Sequence, residues 1–236
     1  MQQNKLHRIY VNNHILINNA LKIDSNIVNH IKNVLRIRHN EKIIVFNGDG
    51  KEYVAEVQHG EELIISIKSE NPLRKINPHK IILAQCIPSA KHMDLAIQKS
   101  VEIGINEITP IISERSHPGE HKKKKIHWEN IIISATEQSN GLFLAKLNNI
   151  ITLKEFLDEV DGGDAQKICF HISGRKISQS DKNSQSHIIL IGPEGGFSKE
   201  EIALVERYNW NIISLGDRIL RTETASMVAQ TILRDF

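Results

Sequence analysis

Two short apolar runs break at glycine and pass directly into helix-like segments. Ile189 to Glu201 reads Ile-Leu-Ile-Gly-Pro-Glu-Gly-Gly-Phe-Ser-Lys-Glu-Glu, and Leu215 to Ala225 reads Leu-Gly-Asp-Arg-Ile-Leu-Arg-Thr-Glu-Thr-Ala. Gly192, Gly195 and Gly196 allow positive φ and a close approach of backbone to a ligand. Ser198 and Glu201 have the spacing of a capping box, so a helix is expected to start there. A glycine turn between a buried strand and a helix leaves unpaired N–H donors facing a cavity. One such turn can be only a helix starter. Two of them, about twenty residues apart, favour loops that jointly build a pocket.

The rest of the chain divides in its patterning. Residues 1–70 read as a mostly β unit: strands over His7 to Val11, Lys42 to Phe46, Glu52 to Val57 and Leu63 to Ile67, with a turn at Asn47-Gly48-Asp49-Gly50. One helix interrupts it near Ser25 or Asn26, with Ile27, Ile31, Val34 and Leu35 as its apolar stripe. Lys32, Arg36 and Arg38 fall off that stripe, toward solvent. Residues 71–79, with Pro72 and Pro78, read as a linker. Beyond it, over 80–236, continuous apolar strands alternate with helices. Strands are expected at Lys80 to Gln85, Glu107 to Ile112, Lys167 to His171 and His187 to Ile191. Helices are expected at Met93 to Ile103, Trp128 to Gln138 and Thr152 to Val160. That alternation describes an α/β domain with a covered parallel sheet. The serine-rich stretch from Arg175 to Ser186 reads as a mobile surface loop.

Composition excludes several classes. No apolar run reaches the roughly 20 residues of a membrane span, and the polar start Met1 to Arg8 lacks a signal-peptide core, so a cytoplasmic protein is expected. Cys86 and Cys169 are isolated within apolar runs and read as buried thiols. Twelve histidines show no ligand-like spacing, so no metal is expected. The glycine turn lacks both the Gly-Lys-Ser/Thr ending of a P-loop and the spacing of a dinucleotide fingerprint, which argues against an NTPase. A net charge of +2 does not by itself imply nucleic acid. The run Lys122, Lys123, Lys124, Lys125, with Arg115 nearby, fits either a solvated loop or a phosphate-contacting one. Leu215, Gly216, Ile219 and Leu220 offer apolar walls and open backbone, which suit a flat base such as adenine. Thr222 is expected to cap the final helix.

Gly192-Pro193-Glu194-Gly195-Gly196-Phe197-Ser198 and Leu215 through Ala225 resemble the signature of the RsmE family of ribosomal small-subunit RNA methyltransferases. The similarity runs nearly the full length. It takes in Arg8-Ile9-Tyr10-Val11, His30-Ile31-Lys32-Asn33-Val34-Leu35-Arg36, and Lys91 through Gly104 to Ser113-Glu114-Arg115-Ser116. The resemblance implies a SPOUT α/β-knot, a C-terminal trefoil-knotted parallel sheet flanked by helices, with an N-terminal PUA-like β-barrel. It implies S-adenosylmethionine as cofactor, N3 of a 16S ribosomal RNA uridine in the small subunit as target, and a homodimer. Packing rules alone would give a plain, unknotted sheet.

By that resemblance, backbone around Leu190, Ile191, Gly192, Gly195, Gly196, Leu215, Gly216, Leu220 and Thr222 should hold the cofactor. Gly195→Val should then fill the pocket wall. Methyl transfer to N3 needs that nitrogen deprotonated, or its charge stabilised as it develops. Glu194 and Glu223 are candidate bases, and Arg218 and Arg221 candidate stabilisers of charge. Glu223 also fits a plain helix-starting carboxylate. His30, Arg36, Arg38, Arg115 and the lysine run are RNA-contact candidates, though His30 fits an ordinary surface histidine equally well. The family usually carries an arginine just after Glu137-Gln138-Ser139. Here Asn140-Gly141 follows, and Lys146 or the lysine run is the expected substitute cation. Two alternatives stay open: a ribose 2′-O methyltransferase of the same fold, and an RNA-binding or ribosome-assembly protein with impaired catalysis.

Overall fold

The structure is a computed structural model that describes residues 6–74, 77–117, 121–160 and 163–234, with the side chains of 121–123 outside the described set. Its contacts separate into two units, residues 1–76 with Thr136–Leu144, and Asn77–Ala135 with Ala145–Phe236.

In the first unit, β1 (Arg8–Tyr10), β2 (Ala20–Lys22), β3 (Lys42–Phe46), β4 (Tyr53–Gln58) and β5 (Ile64–Glu70) form one sheet in the order β1-β3-β4-β5-β2. Only the β1–β3 pair is parallel. Alternation in β4 buries Tyr53, Ala55 and Val57 and turns Val54, Glu56 and Gln58 outward. These join Ile9, Val45, Ile65 and Leu21 from the other strands, so the sheet wraps a single core.

Helix α1 (Ser25–Asn29) begins where Asp24 accepts from the Asn26 and Ile27 amides, at 2.9 Å each. It continues as a π-helical segment, His30–Leu35, and stops at Arg36, whose φ of 53° is left-handed. The wider π-turn rotates the stripe expected from 3.6-residue spacing. Ile31 is buried as anticipated, but Val34 is 61% exposed.

The segment Thr136–Leu144 belongs to this unit through specific bonds. The Tyr10 amide donates to Glu137 Oε1 at 2.8 Å, and Arg8 donates to the Gly141 carbonyl at 2.6 Å while pairing with Glu52. Arg74 donates to the Asn140 carbonyl at 2.9 Å. The turn where the resemblance leads one to expect an arginine is thus itself an acceptor of two arginines.

The second unit carries β6 (Lys80–Cys86), α2 (Ala90–Ile103), β7 (Glu107–Ile112), most of α3 (His121–Gln138), β8 (Lys146–Leu147), β9 (Ile151–Thr152) and α4 (Leu153–Glu159). After these come β10 (Gln166–Lys176), β11 (Ser186–Ile191), α5 (Lys199–Arg207), β12 (Asn211–Ser214) and α6 (Thr222–Leu233). The sheet runs β12-β10-β11-β6-β7-β8, with β9 also on β7, and every pair is parallel. Ile188 to Ile191 and Leu83 to Cys86 are all essentially inaccessible, as central strands covered on both faces must be.

Two expectations fail here. Lys122 to Lys125 lie in the first turns of α3 rather than in a loop. Arg175 to Ser186 is not a free loop: β10 runs on to Lys176, and a 3₁₀ turn over Gln179–Asp181 follows. Asp181 is buried there and accepts from Arg175 at 2.7 and 2.6 Å and from the Ser178 hydroxyl at 2.6 Å. A bidentate arginine fork with added donors explains why so polar a stretch is ordered.

Candidate active site

Parallel register sets the carboxyl ends of β6, β11 and β12 level with Phe170 in the middle of β10. Ile191 pairs with Phe170 on one flank and Gln85 on the other, and Phe170 pairs with Ile213. Just beyond these ends the chain turns through Gly192–Gly196 and through Leu215–Arg221, and between the turns lies a cavity of about 590 Å³. Ligands of parallel α/β sheets bind at this end of the strands, and the volume falls in the usual range for small-molecule sites.

Each turn has a local cause. After Gly192, Ser198 accepts from the Glu201 amide while Glu201 accepts from Ser198, so α5 starts with the expected capping box. Gly196 and Gly216 have φ of +66° and +120°, and a Cβ on either would meet no atom within 4 Å. That open space on the cradle is what a ligand would fill. Gly195 differs: a Cβ there would meet the Arg115 side chain at 3.0 Å, so the expectation that Gly195→Val fills the pocket gives way to a clash with Arg115.

Thr222 does not cap α6. The cap position is Arg221, without a side-chain hydrogen bond. The Thr222 hydroxyl instead donates to the Gly192 carbonyl at 2.6 Å and accepts from Gln85 Nε2 at 2.9 Å. Thr222 thereby ties one glycine turn to the other, and Gln85, fully buried near the end of β6, braces it.

Glu194 is engaged rather than free. Its Oε1 accepts from the Ser89 amide, the Ser89 hydroxyl and His92 Nδ1 at 2.9, 2.7 and 2.8 Å. Partial burial pushes this carboxyl up, but the hydrogen bonds from Ser89 and His92 outweigh it and hold it at about 2. A carboxylate held so low is a weak proton acceptor. Glu223, only 5% exposed, lies on the cavity wall with Oε1 4.0 Å from His92 Nε2 and with Oε2 unpartnered. It sits in the first turn of α6, where the helix dipole favours an anion. Arg115 donates to the Gly195 carbonyl at 2.7 Å and so braces the first turn from outside.

Of the residues expected at the cofactor, Ile191, Gly192, Gly195 and Gly196 line the cavity on one side, and Leu215, Gly216, Leu220 and Thr222 on the other. Leu190 does not; it is wholly buried in the sheet core. Arg218, Arg221, Glu194 and Glu223 all reach the cavity wall. So does Arg115, which the sequence pattern placed with the RNA contacts. Lys124 donates to the His117 carbonyl at 3.2 Å and Lys125 to Asn149 at 2.8 Å, while the Lys122 and Lys123 side chains lie outside the described residues. In the first unit, Arg36 and Arg38 are exposed and His30 is half-buried.

Sequence reasoning missed Gln85, Ser89 and His92. Gln85 carried a signal, a polar residue closing an apolar strand. Ser89 and His92 carried none, because only the fold brings them to Glu194. Cys86 and Cys169 are buried, and burial pushes both thiols up, so they stay protonated. Among the described residues there is no cluster of three or more potential metal ligands and no helix long and apolar enough to cross a membrane.

Comparison with known proteins adds the chemistry these loops serve. Residues 75–234 match the RNA methyltransferase domain family, and residues 23–68 match the RNA methyltransferase PUA domain family. The ribosomal RNA small subunit methyltransferase E of Buchnera aphidicola (subspecies Schizaphis graminum) is 35% identical, over 98% of this chain and 96% of that protein. That of Mesomycoplasma hyopneumoniae is 36% identical over 86% of this chain and 89% of its own. A crystal structure of ribosomal RNA small subunit methyltransferase E from Neisseria gonorrhoeae bound to S-adenosyl methionine superposes with a TM-score of 0.90 at 33% identity, covering 97% of this chain and 96% of that one. A Legionella pneumophila methyltransferase in complex with SAM gives the same TM-score and identity, covering 97% of each chain.

Fold and site together define an α/β-knot RNA methyltransferase with an N-terminal PUA-type domain. Within that class, the chain belongs to the ribosomal RNA small subunit methyltransferase E family.

Proposed function

We propose that the chain binds S-adenosylmethionine between its two glycine turns and methylates N3 of a uridine in 16S ribosomal RNA, working in the cytoplasm as a homodimer. The observation that carries this reading is the Thr222 bridge, which joins both turns around a cavity walled by Arg218, Arg221 and Glu223. The residues suit the cofactor. Ile191, Leu215 and Leu220 give apolar walls for adenine, and Gly196 and Gly216 leave backbone open to it. The cofactor supplies an electrophilic methyl group on sulfonium sulfur.

The chain's own residues handle the proton and the charge. The N3–H bond of uracil breaks with its electron pair left on nitrogen, and the proton passes to the Glu223 carboxylate. Nitrogen then bonds to the methyl carbon, and the carbon–sulfur pair stays on sulfur, leaving a neutral thioether. Glu223 is favoured over Glu194 because its Oε2 has no other partner, whereas Glu194 already accepts three hydrogen bonds on Oε1 and is held at about 2. Arg221 and Arg218, exposed on the same wall, stabilise negative charge on the uracil oxygens or hold a flanking phosphate. Arg36, Arg38 and His30 in the PUA-type domain and Lys122 to Lys125 on α3 contact RNA phosphates.

Mass spectrometry of small-subunit RNA from a deletion strain, with and without complementation, tests the assignment. 3-Methyluridine should vanish in the deletion and return with the gene; its persistence would end the reading.

A further inference from the structure

His92 lies between two carboxylates and belongs to none of the glycine-turn motifs. Its Nδ1 is 2.8 Å from Glu194 Oε1 and 2.8 Å from Ser89 Oγ. The Ser89 hydroxyl hydrogen is committed to Glu194 at 2.7 Å. Both neighbours of Nδ1 therefore act as acceptors, and Nδ1 must carry a hydrogen. This leaves Nε2 to face Glu223 Oε1 at 4.0 Å. Glu223 is 5% exposed and its other oxygen has no partner among the described residues. A buried polar atom in that condition is open to a partner arriving from the cavity. The other charged groups on the cavity wall are Glu194 itself and Arg115, Arg218 and Arg221, and the three arginines are solvent-exposed.

We propose that His92 is a positioning residue for Glu223: anchored from behind by Ser89 and Glu194, its imidazole holds Nε2 within ion-pair range of Glu223 Oε1 and orients that carboxylate, leaving the other oxygen to take the substrate's proton. The inference rests on the methyl transfer to uridine proposed above. It also gives Glu194 a purpose consistent with its low proton affinity. Glu194 orients the histidine, and the histidine orients the base.

Two measurements on the full-length chain test this. Imidazole ¹⁵N spectra of the cofactor-free protein should show His92 with hydrogen on Nδ1, and Glu223→Gln should shift its Nε2 resonance while leaving the other histidines in place. An unmoved Nε2 signal would overturn the contact, whatever reaction the protein catalyses.

Single-turnover methyl transfer to small-subunit RNA from a deletion strain then tests the role. Glu223→Gln should slow the step by about 100-fold and His92→Ala by about 10-fold, with cofactor affinity and the KM for RNA changed less than about threefold. His92→Gln, whose amide can donate toward Glu223, should recover most of the loss. Adding His92→Ala to Glu223→Gln should cost nothing further. Multiplicative losses, or an equal loss of cofactor affinity, would overturn the positioning role. If the RNA takes no methyl on uridine even from wild type, while the Nε2 shift is seen, the fault lies with the proposed reaction and not with the His92–Glu223 pairing.

Discussion

The Thr222 hydroxyl stands 2.6 Å from the Gly192 carbonyl, 30 residues earlier in the chain, and one short hydrogen bond there joins the two glycine turns. Gln85 Nε2 completes the bridge from β6 at 2.9 Å. Both partners lose if the hydroxyl goes. Thr222→Val keeps the shape but leaves the Gly192 carbonyl and one N–H of the buried Gln85 amide, which otherwise keeps its bond to the Cys86 carbonyl, without this partner, at a cost of about 1–3 kcal/mol. In a chain of this size that lowers Tm by roughly 2–10 °C, readable by differential scanning calorimetry. Cofactor affinity should fall as well. Thr222→Ser should retain most of both, and a Val variant as stable as wild type would show the bridge to be incidental.

Gly196 and Gly216 make a sharper test of which surface the cofactor uses. Both adopt left-handed φ, and neither would bring a Cβ near protein atoms. Alanine at either therefore costs about 1–2 kcal/mol of backbone strain without a clash. Its methyl group would stand in the open space of the cradle. Isothermal titration with S-adenosylmethionine should show at least tenfold weaker binding for each, while the folded fraction at 25 °C stays high. Unchanged affinity would place the cofactor elsewhere.

Arg115 stood among the RNA candidates on charge alone, yet it grips the Gly195 carbonyl at 2.7 Å. Arg115→Ala should weaken cofactor binding severalfold by loosening the turn, and should leave the salt dependence of RNA binding unchanged. A lower salt slope with normal cofactor affinity would return Arg115 to the RNA.

These cases mark what the sequence made legible. Glycine turns, the Ser198–Glu201 capping box and the apolar strands are local signals, and they foretold the sheet, α5 and the cavity walls. The Gln85–Thr222–Gly192 bridge and the Ser89–Glu194–His92 cluster include bonds that span 102 to 137 residues, beyond what any local pattern encodes. Val34 departs from the apolar stripe because π-turns break the 3.6-residue period. Asp181 was missed because its burial depends on Arg175 folding over it. Lys122 to Lys125 read as a loop because a run of like charge carries no apolar period, yet they lie in the first turns of α3.

Among the described residues, five carboxyls are depressed in the fold, those of Glu52, Glu155, Asp158, Asp181 and Glu194, and the last two are shifted furthest. Arg175 holds Asp181 well below its usual 3.8, and Ser89 and His92 hold Glu194 at about 2 against partial burial. Carboxyls lowered on folding stabilise above their unfolded pKa, and that contribution is lost as pH falls through the folded value. The Tm difference between wild type and Glu194→Gln should therefore hold constant from pH 7 to about 5, shrink below about 4.5 and vanish near 2. His187 acts separately. Burial lowers it, as it lowers His171, so stability common to both proteins declines below about pH 6.5 as the unfolded state takes up these protons. A difference already shrinking between pH 7 and 5 would mean that Glu194 is not the ionised anchor described.

The start of α3 sets two effects against each other. Lys124 and Lys125 sit in its first turns, where cations oppose the helix dipole. Their bonds to the His117 carbonyl and Asn149 are exposed and worth little. Replacing both with glutamate should therefore raise stability, by about 0.3–1 kcal/mol per site. If the same lysines neutralise phosphates, RNA affinity should fall, and the slope of log K against log salt should flatten by roughly 0.7–0.9 for each phosphate left without its lysine. Thermal melts and filter binding from 50 to 200 mM salt read the two effects independently. A more stable variant with an unchanged slope would leave these lysines as solvated surface and move RNA recognition to Arg36 and Arg38.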